Sequence, residues 1–338
     1  MKKTRKRFTA YAVMLAMVAG LFSTLPTIPT KAAGEESLTE SDEVFAVHQG
    51  KDGAINWSID SNGCLTLEGN GDWEGLSDSF VIIGDEESKN PKWLDYSNDI
   101  VSAKVNVTGI TNCKDMFYGC SEMQTVDLTN MDTSNVTSME MMFYGCSQLQ
   151  TLDLSTLDTS KVVTMEDMFA NCGSLSSINF DHFSTSSVKN MWGMFQVCEN
   201  ITSLDLSSFD TSSVTEMGAM FNYCKSLKEV DVSSFDTSSV TTIYAMFDCC
   251  DSLIKLDLSS FDLANLDCDE YDVRSFSGFN RCTSLTEIQI PKNIPATIED
   301  SDMNDCSLPP SSSDYTSWKD EQGTVYEKFP TGAENSIT

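Results

Sequence analysis

Basic residues are scarce in this chain. Its 338 residues hold 21 Lys and Arg against 51 Asp and Glu, a formal charge of −30, and only two histidines, His48 and His182. A surface for DNA or RNA needs a basic stripe to neutralise phosphates, and none is present. Anionic membrane surfaces are repelled for the same reason, which leaves cations, basic patches on other proteins and neutral glycans as partners. The two histidines share no cluster, and GxSxG, HExxH, phosphate-loop and GxGxxG patterns are absent. No enzyme is expected: carboxylate pairs suited to glycoside hydrolysis can be drawn from any acidic surface, so their presence selects nothing. CxxC and Cys/His zinc spacings are also missing, although the chain holds 12 cysteines.

One apolar run stands out, Phe8 to Phe22. It follows Lys2, Lys3, Arg5, Lys6 and Arg7 and precedes Thr30-Lys31-Ala32. This is the pattern of a secretory signal over residues 1–32, so the chain is expected to be secreted or extracellular, with cell-surface association left open. No cysteine follows the run to take a lipid, and no membrane span is expected in the mature chain. Removing residues 1–32 leaves 15 basic residues against 51 acidic ones, a formal charge of −36. A monomer is expected from such self-repulsion.

What the chain has in abundance is repetition. Met116-Phe117, Met142-Phe143, Met168-Phe169, Met194-Phe195, Met220-Phe221 and Met246-Phe247 stand 26 residues apart, each with a cysteine three residues on. A seventh unit, at Phe279, Cys282, Leu285, Ile288 and Ile290, is displaced by 32 residues. Self-similarity at fixed period marks a stacked array in which each unit buries its faces only against its neighbours. Within a unit, Leu204-Asp205-Leu206 alternates as a half-buried strand does, whereas Val214, Met217, Met220, Phe221 and Cys224 follow the spacing of a short helix. Asp210-Thr211-Ser212-Ser213 between them supplies turn and helix N-cap chemistry. The expected architecture is α/β: a right-handed solenoid with a parallel sheet on its concave side and short helices on the convex side.

Leu149-x-x-Leu152-x-Leu154-x-x-Leu157 and Ile201-x-x-Leu204-x-Leu206-x-x-Phe209 resemble the leucine-rich-repeat core, with Leu or Phe where the common form has Asn. Met-Phe-x-x-Cys combined with Phe-Asp-Thr-Ser-x-Val closely resembles the BspA-like bacterial surface repeats, a class first noted in mycoplasma lipoproteins. The resemblance covers about residues 110–292 and departs in the third unit, where Asn179 and Ser184 replace the two aspartates. It implies adhesion at the cell surface, to a host or bacterial protein or a glycan. Four regions are expected: the signal at 1–32, a β-rich N-terminal cap at 44–108, the solenoid at 109–292, and a Pro/Ser linker with a tail at 293–338. In the cap, Trp57 to Leu67 reads as two strands about an Asn62-Gly63 hairpin turn.

Two aspartate columns are the candidate surface. Asp127, Asp153, Asn179, Asp205, Asp231 and Asp257 are expected on the concave face as the partner-binding row. Asp132, Asp158, Asp210, Asp236 and Asp262 are expected to serve turns. Cys120, Cys146, Cys172, Cys198, Cys224, Cys250 and Cys282 form one column, read as buried free thiols, although strands about 4.8 Å apart leave disulfide pairing open. Trp192 and Tyr244 are expected on the convex surface. No catalytic residue, resident metal or other cofactor is assigned. Calcium remains open through Asp267 and Asp269, and through Asp300, Asp302 and Asn304, which lack the glycine and glutamate of the helix-loop-helix calcium motif. The alternatives to adhesion are a calcium-stabilised structural or matrix component and a polysaccharide-degrading enzyme.

Overall fold

A computed structural model describes residues 46–74, 90–266 and 281–289, together with the backbone of two short strands, Trp318–Lys319 and Val325–Tyr326. The chain divides into two compact units, residues 1–43 with 77–88 and residues 44–76 with 89–338; all that follows concerns the second. The secretory signal, Asp267, Asp269, Phe279, Ile290, Asp300, Asp302 and Asn304 lie outside the described residues.

The described chain opens with a five-stranded sheet in the order β1 (Ala46–Asp52), β2 (Ile55–Asp60), β3 (Cys64–Asn70), β4 (Ser102–Thr108), β5 (Thr125–Asp127). The first three strands are antiparallel, and β3, β4 and β5 are parallel. The Asn62-Gly63 turn joins β2 to β3. Gly63 has φ +74°, and a Cβ there would meet the Asp99 carbonyl oxygen at 2.5 Å. Period-two alternation buries Ile55, Trp57, Ile59, Leu65, Leu67, Val105 and Val107 on one face. Asn56, Ser58, Thr66, Glu68, Lys104 and Asn106 take the other. Between β3 and β4 a 3-10 helix, Lys92–Asp99, buries Trp93 edge-on to Trp73, with ring centroids 5.5 Å apart. Asp52, almost fully buried, accepts the Glu74 amide at 3.0 Å on one oxygen and the Lys92 amide at 2.9 Å on the other.

From here the 26-residue units stack as parallel coils, numbered 1 to 6 by their Met-Phe pairs. The helix expected at that pair is not formed. The only helix among the described residues is the 3-10 helix before β4, and the segment around each Met-Phe is a chain of tight turns. In coil 5 the amides of Met217, Ala219, Phe221 and Tyr223 donate to the carbonyls of Thr242, Tyr244, Met246 and Asp248 in coil 6, while Asn222 and Cys224 donate back to Ala219 and Phe221. Alternate peptides thus lie along the stacking direction or within the coil. Both arrangements bury positions three and four apart, so local periodicity cannot separate them.

What breaks the helix is a left-handed residue on either side of each Met-Phe pair. Met141, Asp167, Gly193, Ala219 and Ala245 form one such column, and Gly145, Asn171, Val197, Tyr223 and Cys249 the other. For a non-glycine residue that conformation costs about 1–2 kcal/mol. The cost is offset because the amides of the left-handed residues in coils 2 to 5 each find a carbonyl on the next coil.

The axial peptides all point the same way, carbonyls toward the N-terminal end, so coil 1 has no preceding coil to donate to it. The Trp93 indole N–H supplies one donor, to the Met116 carbonyl at 2.8 Å. Inside, Phe117, Phe143, Phe169, Phe195, Phe221 and Phe247 form one column of stacked rings, with neighbouring centroids 5.3 to 5.9 Å apart. Beside them each column thiol donates to a phenylalanine carbonyl of the preceding coil: Cys146 to Phe117, Cys172 to Phe143, Cys198 to Phe169, Cys224 to Phe195 and Cys250 to Phe221, at 3.1 to 3.2 Å. All ten cysteines among the described residues are free. Burial pushes the thiols of Cys120, Cys172, Cys224 and Cys282 up to about 12.

Threonine carries a role that sequence reading gave to turns and caps. Thr159, Thr185, Thr211 and Thr237 are buried, and each hydroxyl bridges to the next coil. Thr185 Oγ1 donates to the Asp210 carbonyl at 2.9 Å and accepts the Asp210 amide at 2.8 Å. Thr159 does the same with Ser184, and Thr237 with Asp262. A hydroxyl thus stands where a backbone ladder pair would be. Thr133, the first of the column and equally buried, has no partner for its hydroxyl.

Candidate binding face

The strands of the coils place their middle residue inward and the two flanking residues outward. In β6 (Thr151–Asp153) Leu152 is buried between exposed neighbours, and β7 (Ser177–Asn179) and β8 (Lys255–Asp257) present Asn179 and Asp257 in the same way. All six positions of the first aspartate column are therefore at the surface, in one row. Register extends the row in both directions. Thr66 of β3 pairs with Lys104 of β4, Lys104 with Asp127 of β5, and Asp257 with Gln289 of β9 (Glu287–Gln289). Its N-terminal end is an open depression of about 480 Å³ lined by Gln49, Gly50, Asn56, Trp57, Ser58, Thr66 and Glu68.

Each carboxylate of the row also serves its own turn. Asp127, Asp153, Asp205, Asp231 and Asp257 accept, through Oδ1, the amide two residues on, at 2.9 to 3.1 Å; Thr129 and Ser207 add a hydroxyl at 2.7 Å. The second column does the same at Asp132, Asp158, Asp210, Asp236 and Asp262. The turn role expected of the second column is present, and the first column makes the same Asx turn as well. In the third unit the Ser184 hydroxyl, 3.2 Å from that of Ser186, replaces the carboxylate. Hydroxyl donation lowers the carboxyl pKa at Asp127, Asp205 and Asp231, with their turn amides adding to it; at Asp153 the Ser155 amide leads. Asp127, Asp153, Asp205 and Asp231 are thus held ionised, and one oxygen of each turn-bound carboxylate in the row is committed.

Along the row the strand ladder is closed at some joints and open at others. It is closed between Lys104 and Asp127, between Asp153 and Asn179, and between Asp257 and Gln289. No strand pairing joins Asp127 to Asp153, Asn179 to Asp205, Asp205 to Asp231, or Asp231 to Asp257.

The turn side of coils 1 to 3 carries a second group of carboxylates that sequence reading did not single out. Glu140, Glu166 and Asp167 are more than nine-tenths buried. Glu140 pairs with Lys114 at 2.9 Å, and Glu166 accepts from the Asn190 amide at 2.6 Å. Burial, with Glu140 nearby, raises the Asp115 carboxyl to about 6 against the pull of Lys114. Tyr118 and Tyr144 stack beside them with centroids 4.8 Å apart. Trp192 and Tyr244 are half-buried rather than exposed. Their rings are near-parallel with centroids 6.2 Å apart, and Trp192 lies over Gly218, where a Cβ would come within 2.1 Å of it. Among the described residues no group of three His, Cys, Asp or Glu side chains could hold a metal ion. No helix among them is long and apolar enough to cross a membrane.

The family described as "Mycoplasma protein of unknown function, DUF285" matches residues 93–179 and 174–285, more than half of the chain. No curated protein matches. Among solved structures the chain is similar to a leucine rich cell surface protein from Faecalibacterium prausnitzii, with 14% identity over 74% of this chain and 84% of that one and a TM-score of 0.28. A leucine-rich repeat protein from Bacteroides ovatus matches with 14% identity over 73% and 82%, TM-score 0.29. One from Eubacterium ventriosum matches with 13% identity over 82% and 100%, TM-score 0.18.

Proposed function

The chain belongs to the family described as Mycoplasma protein of unknown function, DUF285, and from that premise we propose that it is a secreted, non-enzymatic surface protein that binds a basic patch on an extracellular protein through the outward row of its sheet. The observation that carries this reading is the row itself. Asp127, Asp153, Asp205, Asp231 and Asp257 stand exposed in single file, each held by its own turn. A carboxylate oriented in advance loses little freedom when a cation approaches, and a formal charge of −30 steers basic partners toward it.

Binding of the mature chain, from Ala33 onward, to immobilised extracellular-matrix proteins and mucins tests this. Saturable binding that weakens with salt is expected. Replacing both Asp205→Asn and Asp231→Asn is expected to weaken it about 2- to 30-fold, from about 0.2–1 kcal/mol per exposed ion pair. Unchanged affinity in the double variant removes the row as the binding face.

A further inference from the structure

The open and closed joints of the sheet follow one rule. Where the ladder is closed, a side-chain donor or a cation spans the joint. Lys104, a cation, pairs in register with Asp127. The Asn179 amide donates to Asp153 Oδ1 at 3.0 Å. The Gln289 amide, in the orientation its surroundings dictate, donates to both oxygens of Asp257 at 3.1 Å. Where the ladder is open, carboxylate faces carboxylate in the row: Asp127 meets Asp153, Asp205 meets Asp231, and Asp231 meets Asp257. The joint between Asn179 and Asp205 obeys the same rule, because the Asn179 amide is already turned toward Asp153 and its Oδ1 accepts the Asp181 amide.

Backbone bonds at the residue after the row report the same division, while three residues before the row the Lys228 amide still donates to the Thr202 carbonyl at 3.0 Å and the Ile254 amide to the Lys228 carbonyl at 3.3 Å. The amide after the row residue donates across the joint from Leu154 to Asn179 at 3.1 Å and from Leu258 to Gln289 at 2.9 Å. No such bond joins Leu128 to Asp153, Phe180 to Asp205, Leu206 to Asp231, or Val232 to Asp257.

We infer that the sheet is charge-gated: adjacent carboxylates of the row hold three of its joints open, the fourth lacks a free donor, and a donor placed across such a joint closes it. Like charges directly opposite on neighbouring strands repel, and at strand spacing the backbone ladder that would bring them together is the element that yields. Coils 4 to 6 carry the longest run of such carboxylates. Asp205, Asp231 and Asp257 stand there in succession, with Glu229 and Lys255 the other charged groups on the same outward face. The device is independent of any partner, so it stands or falls apart from the binding reading.

Amide hydrogen exchange on the full mature chain tests it with two opposite substitutions. Asp231→Asn places a donor beside Asp205, as Asn179 stands beside Asp153, and is expected to slow exchange of the Leu206 amide at least tenfold. Asn179→Asp removes the donor from a closed joint and is expected to speed exchange of the Leu154 amide at least tenfold. The Phe143 and Phe195 amides, bonded to Met168 and Met220 on the turn side, serve as the measure of an intact fold. If those two stay protected while neither Leu206 nor Leu154 changes, the carboxylates do not gate the ladder and the inference is overturned.

Discussion

The two sides of one coil use the same backbone groups and reach opposite results. On the turn side, four amides per coil donate to the next coil at each of the five joints between coils 1 and 6, at 2.6 to 3.1 Å without a gap. On the strand side, four of the seven joints from β4 to β9 are open. The side chains account for the difference. Turn-side peptides sit over a column of phenylalanine, methionine and cysteine, where burial rewards regular stacking and an unpaired amide is costly. Strand-side peptides carry a file of exposed carboxylates, and water can satisfy an amide that the neighbouring strand does not. Regular sequence therefore yields regular hydrogen bonding only where the repeated residue is apolar or paired.

The comparison breaks most severely in the stacked rings. Phe169→Ala removes a ring between Phe143 and Phe195 and is expected to cost about 3–5 kcal/mol in urea unfolding. Asp153→Ala on the strand side of the preceding coil, which loses the bonds from the Ser155 and Asn179 amides, should cost about 0.5–1.5 kcal/mol. Equal losses at the two sites would show that the strand side bears as much of the fold as the turn side.

The buried threonines sharpen the comparison at their own joint. Thr185→Val deletes a hydroxyl that satisfies both the amide and the carbonyl of Asp210, with an expected cost of about 1–3 kcal/mol. Thr133→Val deletes the one hydroxyl of the column without a partner and should be neutral or slightly stabilising in the same measurement. A matching loss at both positions would mean that shape, not hydrogen bonding, is what the column contributes.

The smallest effect concerns sign. Burial raises the Asp115 carboxyl from its ordinary 3.8 to about 6, so the folded state favours its protonated form. That contribution is complete below about pH 4 and is lost as pH rises through about 6. Carboxylates of the outward row, lowered by their turns, behave oppositely: their contribution is present above the ordinary carboxylate range and is lost as pH falls through it. Asp115→Asn should therefore raise the melting temperature by a few degrees at pH 7.5 and lose that advantage by pH 4. Asp205→Asn should show no such pH-dependent gain; a gain at Asp205 like that at Asp115 would erase the distinction between the two sides.

Much of the fold is legible in the chain. The 26-residue register, the inward Leu and Val of each strand, the Phe and Cys columns and the Asn62-Gly63 turn follow from period and residue type. The Met-Phe segment is not legible in this way. Buried spacing at Val214, Met217, Met220, Phe221 and Cys224 suits a helix as well as a chain of turns, and left-handed Val197 and Tyr223 give no local warning. Nor was the buried role of Thr211 visible, because Asp210-Thr211-Ser212-Ser213 carries the same letters in a surface turn as in a cross-coil bridge. Of the candidate row, exposure and alignment were legible; the turn that occupies one oxygen of each carboxylate was expected in the second column, where it is present, and not in the row.

By itself the sequence determined the repeat, its length, the residues that face inward, and a surface too acidic for nucleic acid. Only the tertiary structure decided the path of the backbone on the turn side, the bridging by threonine, and which joints of the sheet close. The physical reason is one of range. Inward and outward are settled by neighbours a few residues apart, whereas each of these later choices is made by bonds between residues about one coil apart, as Phe117 to Met142 and Asn179 to Asp153 show. A left-handed residue or an open joint is tolerated or refused by the adjacent coil, and no local pattern carries that information.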